Sequence, residues 1–248
     1  SWLDRGASEA ELGWTDDILD PSILTVGFAR RVSTYKRLTL MLQDADRLRE
    51  ILTNEERPVQ FIIAGKAHPA DGDGKYLLQQ LVQFADQAGV RDRIVFLPDY
   101  DIGLAQTMVA GCDIWLNNPI RPQEASGTSG MKAVMNGCLT LSVSDGWWDE
   151  MADDELGWTI PSVENTDAPT RDRLESLALY DLLERQAAPL FYDRNDDGLP
   201  VGWVERMRKS LSVLAPKVSA TRMVRDYVTD YYRPAQGTYL QMTDDPQA

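Results

Sequence analysis

The sequence predicts an α/β fold: a doubly wound parallel sheet followed by C-terminal helices. Three observations carry this. Short apolar runs rich in strand formers alternate with amphipathic helical stretches, the alternation recurs between Ile23 and Val143, and from Arg171 onward only helical spacing remains. Ile23 to Phe28 reads as the first strand, followed by helical spacing at Leu38, Leu42, Ala45, Leu48 and Ile51. Val59 to Ala64 is the second strand and Tyr76 to Ala88 its helix; Ile94 to Leu97 is the third, followed by a helix over Ile102 to Ala110. Ile114 to Leu116 reads as a buried strand, Met131 to Asn136 as a short helix stopped by Gly137, and Leu139 to Val143 as a fifth strand. After Trp148 the strand signal fades. Helical stretches over Val201 to Leu214 and Ser219 to Tyr232 follow, with breaks expected at Pro189, the Asp193 to Gly198 turn and Pro216. The expected organisation is an incoming segment over 1–20 and a doubly wound domain over 21–160. A helical section over 161–234 would pack on the sheet or on a neighbouring domain, and a tail of 235–248 would be frayed.

Composition narrows the function. With 248 residues and 43% hydrophobic content the chain can bury a full core, while its net charge of −14 disfavours nucleic acid and anionic membranes as partners. An anionic ligand must therefore be drawn in by a local cluster of cations. The only cysteines, Cys112 and Cys138, sit in apolar stretches, which fits buried thiols in a reducing compartment. One histidine, His68, leaves no ligand set for zinc and no spare base for a serine triad, so no metal site is expected. No apolar run reaches the roughly twenty residues that span a bilayer, and the chain reads as cytoplasmic.

In open α/β sheets, ligands bind outside the carboxyl ends of the strands. After the first strand stands Ala29-Arg30-Arg31-Val32-Ser33-Thr34-Tyr35-Lys36-Arg37, either a clamp for oxyanions or a solvated basic face. After the second comes Gly65-Lys66-Ala67-His68-Pro69, and after the third Tyr100, placed for a flat ring or for the core. The most informative stretch is Glu124-Ala125-Ser126-Gly127-Thr128-Ser129-Gly130-Met131-Lys132. There Thr128 or Ser129 could cap a helix beginning near Gly130, whose amides and dipole suit a phosphate beside the Lys132 amine. Asp193 to Gly198 imitates the start of a calcium loop, but the twelfth position is Val204, so a plain acidic turn is the better reading.

Glu124 to Lys132, followed by Asn136-Gly137, resembles the pyridoxal-phosphate signature of the glycogen, starch and maltodextrin phosphorylases. Arg30-Arg31 with Tyr35-Lys36-Arg37 resembles that family's phosphate-binding segment, and Gly65-Lys66-Ala67 with Pro69 another of its blocks, in the same order. The resemblance implies the C-terminal half of a two-domain glycosyltransferase-B architecture that converts α-1,4-glucan and inorganic phosphate to glucose 1-phosphate. By the same resemblance Lys132 would hold pyridoxal 5'-phosphate as a Schiff base, with Gly127, the backbone of Thr128 and Ser129, the Arg30 side chain and Tyr100 around the cofactor. Arg31 and Lys36 would bind the substrate phosphate. Glu124, Ala125, Ser126, Gly127 and Tyr35 would contact the sugar. The N-terminal half would be required for turnover, and a homo-oligomer is compatible with the family.

Arg30, Ser33 and Asp145-Gly146-Trp147-Trp148 depart from the better-known members and resemble a divergent bacterial or archaeal branch. Trp147 and Trp148 could stack on sugar rings or belong to the core. Two other readings are a nucleotide-sugar-dependent glucosyltransferase of the same architecture and a non-catalytic glucan-binding or regulatory module.

Overall fold

A computed structural model describes residue 15 and residues 18–31, 33–67 and 70–243. Six parallel strands form one sheet in the order β3-β2-β1-β4-β5-β6: β1 Leu24–Arg31, β2 Val59–Lys66, β3 Ile94–Pro98, β4 Ile114–Asn117, β5 Leu139–Val143 and β6 Gly157–Ile160. The order runs outward from β1 to β3, then returns to β4 on the other side. The connections therefore diverge between β1 and β4, and a crevice opens at their carboxyl ends.

β6 extends the sheet beyond the five strands expected. Its four residues follow an acidic turn and begin on glycine, which hides them from a periodicity reading. They pair with β5 from Thr140–Gly157 to Val143–Ile160, and Trp158 and Ile160 enter the core. β1 also runs three residues further than its apolar stretch, because Ala29, Arg30 and Arg31 continue the ladder opposite Ala64, Gly65 and Lys66. Arg30 and Arg31, and likewise Gly65 and Lys66, are thus strand-end residues rather than loop residues.

The two sheet faces differ in side-chain size. Val26, Phe28, Phe61, Ile63, Ile114 and Leu116 fill one face, with Leu48, Leu52, Leu81, Leu179 and Tyr180 from the covering helices. The other face uses Ala29, Ala64, Trp115 and Ala133 with Met108, Val109 and both cysteines. Burial pushes the Cys112 thiol up to about 12 and also holds Cys138 well above its ordinary value, so neither is a ready nucleophile.

The helices are α1 Ala45–Leu52, α2 Gly72–Gln87, α3 Ile102–Gly111, α4 Thr128–Met135, α5 Trp147–Met151 and α6 Ala168–Leu182. They continue with α7 Ala188–Tyr192, α8 Val201–Val218, α9 Ala220–Tyr227 and α10 Arg233–Thr243. The single helix expected from Leu38 to Ile51 is divided: Leu40–Leu42 forms a 3-10 turn, and α1 starts after Asp44, whose side chain accepts from the Arg47 amide. Pro189 does not break the chain, because it occupies the first turn of α7 after a π turn over Leu183–Ala187, where no intrahelical donor is required. Pro216 lies inside α8, two residues before its end at Val218. Past Pro234 the chain remains helical to Thr243, and the last five residues lie outside the described ones.

Two tyrosines tie the C-terminal helices to the sheet domain. The Tyr180 hydroxyl donates to the Met41 carbonyl and accepts from the Asp44 amide, and the Tyr192 hydroxyl donates to the Pro58 carbonyl and accepts from the Leu24 amide. By contrast α9 and α10 bury no side chain, and Met223, Val224, Tyr227, Val228, Tyr231 and Tyr232 stand exposed along one helical stretch.

Candidate active site

Arg30, the penultimate residue of β1, lies beside the crevice and is 9% exposed. Its guanidinium donates to Asn117 Oδ1 at 2.6 Å and to the Leu116 carbonyl at 3.0 Å, both at the end of β4, while its Nε has no partner. No carboxylate among the described residues pairs with it, and burial lowers its pKa to about 10. A buried cation held by neutral oxygens and the Phe28 ring, 4.4 Å away, keeps part of its desolvation cost, which an incoming anion would offset.

Lys36 follows on a 3-10 turn over Thr34–Lys36, with its ammonium over the Tyr35 ring and in contact with the Glu124 carboxylate. Burial and the charge of Arg30 push its pKa down to about 7, against the support of Asp145. The neighbouring Arg37, part of the same basic run, has a structural role. Buried at 5% exposure, it donates to the carbonyls of Asn118 and Pro119 and to the carboxylates of Asp172 and Glu175, binding this turn to α6. The Ile120 amide donates to the Tyr35 carbonyl, joining the turn to the segment after β4. Arg31 pairs through its backbone with Lys66.

The glycine-rich segment leads into α4, which begins at Thr128 rather than near Gly130. Gly127 caps it in the left-handed region at φ 85°, and neither Thr128 nor Ser129 accepts a capping bond. Ser129 instead accepts from the Trp115 indole at 3.2 Å. The amides of Thr128 and Ser129 take no acceptor from the described residues, so the positive end of the helix stays open. Lys132, exposed, lies four residues after Thr128 and hence on the same helical face.

Beneath this segment runs Asp145-Gly146-Trp147. The buried Asp145 carboxylate accepts from the amides of Glu124 and Gly146, each at 2.9 Å, and the Trp147 amide donates to the Ser126 carbonyl at 2.9 Å. Gly146 has φ 57° and ψ −138°, and a Cβ there would lie 2.6 Å from the Ser126 carbonyl oxygen, so only glycine fits. Trp147 lies against Gly127 and Gly130, and both tryptophans are buried, which places them in the core rather than at a sugar-stacking surface.

The structure therefore gathers Arg30, Tyr35, Lys36, Glu124, Ser126, Gly127, Thr128 and Ser129 around the β1/β4 crevice. Tyr100, half-buried, packs with the small-residue face near enough for the charge of Arg30 to act on it. Lys66 is exposed, 3.6 Å from Asp99. His68 and Pro69 lie outside the described residues. The Asp193 turn closes on itself, with Asn195 accepting from the Asp197 and Leu199 amides. Sequence reasoning passed over Asn117, Asn118 and Glu175, and gave Arg37 and Asp145 no structural role. The polar pair Asn117-Asn118 directly after an apolar strand was a legible signal, whereas the pairing of Arg37 with α6 spans more than 130 residues. Two surface clefts, one of about 290 Å³ lined by Glu50, Arg57, Val59 and Leu183 and one beside Tyr192, lie away from these residues.

A parallel sheet of this order, with a buried cation and an open helix terminus near its point of divergence, defines an open α/β domain of the Rossmann-like class. The chain belongs to the carbohydrate phosphorylase family, whose model matches residues 16–157. It is 59% identical over 240 residues to a glycogen phosphorylase of Mycobacterium tuberculosis, covering 96% of this chain and 28% of that protein. A glycogen phosphorylase of Aquifex aeolicus is 44% identical, covering 93% of this chain and 33% of its own length, and a maltodextrin phosphorylase of Thermococcus litoralis is 42% identical, covering 92% and 27%. The chain thus spans about a third or less of the length of these relatives.

Proposed function

We propose that this chain is the cofactor- and phosphate-binding part of an α-glucan phosphorylase, which transfers a glucosyl unit from an α-1,4-glucan to inorganic phosphate. The observation that carries the reading is the buried, carboxylate-free Arg30 together with the uncapped start of α4, a donor set suited to an anion. The donor set suits an esterified phosphate, and Lys132 stands on the same helical face as the free amides, so pyridoxal 5'-phosphate fits: Arg30, Gly127, Thr128 and Ser129 would hold its phosphate, with Tyr100 by its ring. When bound, the cofactor supplies a second phosphate group that can exchange a proton with the substrate phosphate.

The chain's own residues do the rest. Lys36, with Arg31, would bind inorganic phosphate, and Lys36 can change protonation near neutral pH. Glu124, Ala125, Ser126 and Gly127, with Tyr35, would orient the sugar. In this structure Glu124 contacts Lys36, which keeps both charges paired. Family membership favours phosphorolysis over the nucleotide-sugar reading. The reading also requires the remaining length seen in the relatives, against which the exposed apolar residues of α9 and α10 would pack, and a cytoplasmic setting where glucan and phosphate are available. Among the described residues no helix is long and apolar enough to cross a membrane.

The test is the visible spectrum of the complete protein. A cofactor band trapped on Lys132 by borohydride, and lost together with phosphorolysis in Lys132→Ala, is expected. Full activity in protein stripped of the cofactor would refute the reading.

A further inference from the structure

We propose that Asp145 is a positioning residue, holding the Glu124–Gly127 segment in its sugar-facing shape and lending its negative charge to the neighbouring Lys36, which contacts Glu124. The proposal rests on the functional reading above. Each carboxylate oxygen has a defined task, since Oδ2 accepts from the Glu124 amide and Oδ1 from the Gly146 amide. Through Gly146 the chain turns so that the Trp147 amide meets the Ser126 carbonyl, and the segment is therefore held at both ends, Glu124 and Ser126. Among the described residues, the other polar restraint on Glu124 is its contact with Lys36, the group expected to turn to phosphate. When Lys36 does so, Asp145 is what remains to keep the segment in place.

The second task is electrostatic. Lys36 faces Arg30, which opposes its charge, and Glu124 and Asp145, which support it, with the Tyr35 ring beneath. Asp145 in turn faces Arg121, Asp149 and Lys36. Arg121, itself engaged by Asp149 and Glu164, shares the Asp145 charge with Lys36. Burial raises the Asp145 pKa from its ordinary value. Asparagine cannot do both tasks, because its amide nitrogen would face one of the two donating amides and its charge is gone.

In the complete protein, Asp145→Asn is expected to raise KM for glucan about tenfold or more, as a misplaced positioning group does. Sulfate, whose charge is constant from pH 6 to 9, is the probe for Lys36. By calorimetry without glucan, the alkaline loss of sulfate binding should move about one pH unit lower in Asp145→Asn, as expected for loss of a nearby opposite charge. Asp145→Glu should restore the sulfate profile but not the glucan KM, a separation that a purely structural role would not produce. Asp145→Asn with both readouts unchanged overturns the proposal. If that variant does not fold, Asp145→Glu decides: a raised glucan KM with an unmoved sulfate profile supports it, and an unchanged KM overturns it. Absence of phosphorolysis in the wild type would refute the functional reading instead, while the sulfate profiles still report on Asp145.

Discussion

Three of the helices that follow β1, β2 and β3 begin on an aspartate, whereas α4, which follows β4, begins on Gly127. Asp44, Asp71 and Asp101 accept from the third residue of α1, α2 and α3. All four termini share the polarity that favours an anion, but in three of them a side-chain carboxylate already occupies that position. Only α4 is left open, beside the buried Arg30. The difference teaches that, of the four helices that follow β1 to β4, three are closed by a carboxylate and the one next to the candidate site is not, while α5, α8 and α9 also lack a side-chain cap. α5 repeats the device for a structural purpose: Gly146 at its cap brings the chain under Ser126.

Four measurements would break or sharpen this contrast. The largest effect is expected from Gly146→Ala, which places a methyl against the Ser126 carbonyl in a backbone region closed to alanine. Thermal unfolding should show a loss of about 3 kcal/mol, and an unchanged melting temperature would mean that the support under the glycine-rich segment is not rigid. Gly127→Asp would give α4 the cap that its neighbours have. It should weaken sulfate binding at least tenfold, about 1.4 kcal/mol, and unaltered affinity would show that the open terminus is not the anion site.

The third concerns the cation beside the open terminus. Sulfate affinity should fall roughly fivefold between pH 7 and pH 8 as Lys36 loses its proton, and Lys36→Met should abolish that dependence. The same shift has a consequence for folding. With a folded pKa near 7, below the unfolded value of 10.5, the folded chain binds fewer protons in between, so stability rises with pH across that window. A Lys36→Met variant with the wild-type slope would exclude Lys36 as the source. The smallest effect is expected at a capped end: Asp101→Ala should cost about 0.5 to 1 kcal/mol of stability and leave sulfate binding unchanged.

Much of the site was legible because its groups are consecutive in the chain. Glu124 to Lys132 and the basic run at Arg30 to Arg37 each concentrate their chemistry within nine residues, and the alternation of strand and helix puts both at or beyond the carboxyl ends of strands. What misled was local. The end of β1 is decided by pairing with β2, so its cations remain in the ladder. The start of α4 is decided by a left-handed glycine rather than by the hydroxyl residues that follow. Arg37 and Arg30 look alike in sequence and have opposite fates, one neutralised by Asp172 and Glu175 and the other left without a carboxylate.

The sequence by itself determined the α/β class, the helical C-terminal part, the buried thiols and the family, because apolar periodicity and short ordered motifs depend only on neighbours along the chain. Tertiary structure alone decided β6, the structural duty of Arg37, the burial of both tryptophans and the support that Asp145 gives to Glu124. Each of these depends on which residues distant in sequence meet in the folded chain, and on which charge finds a partner there.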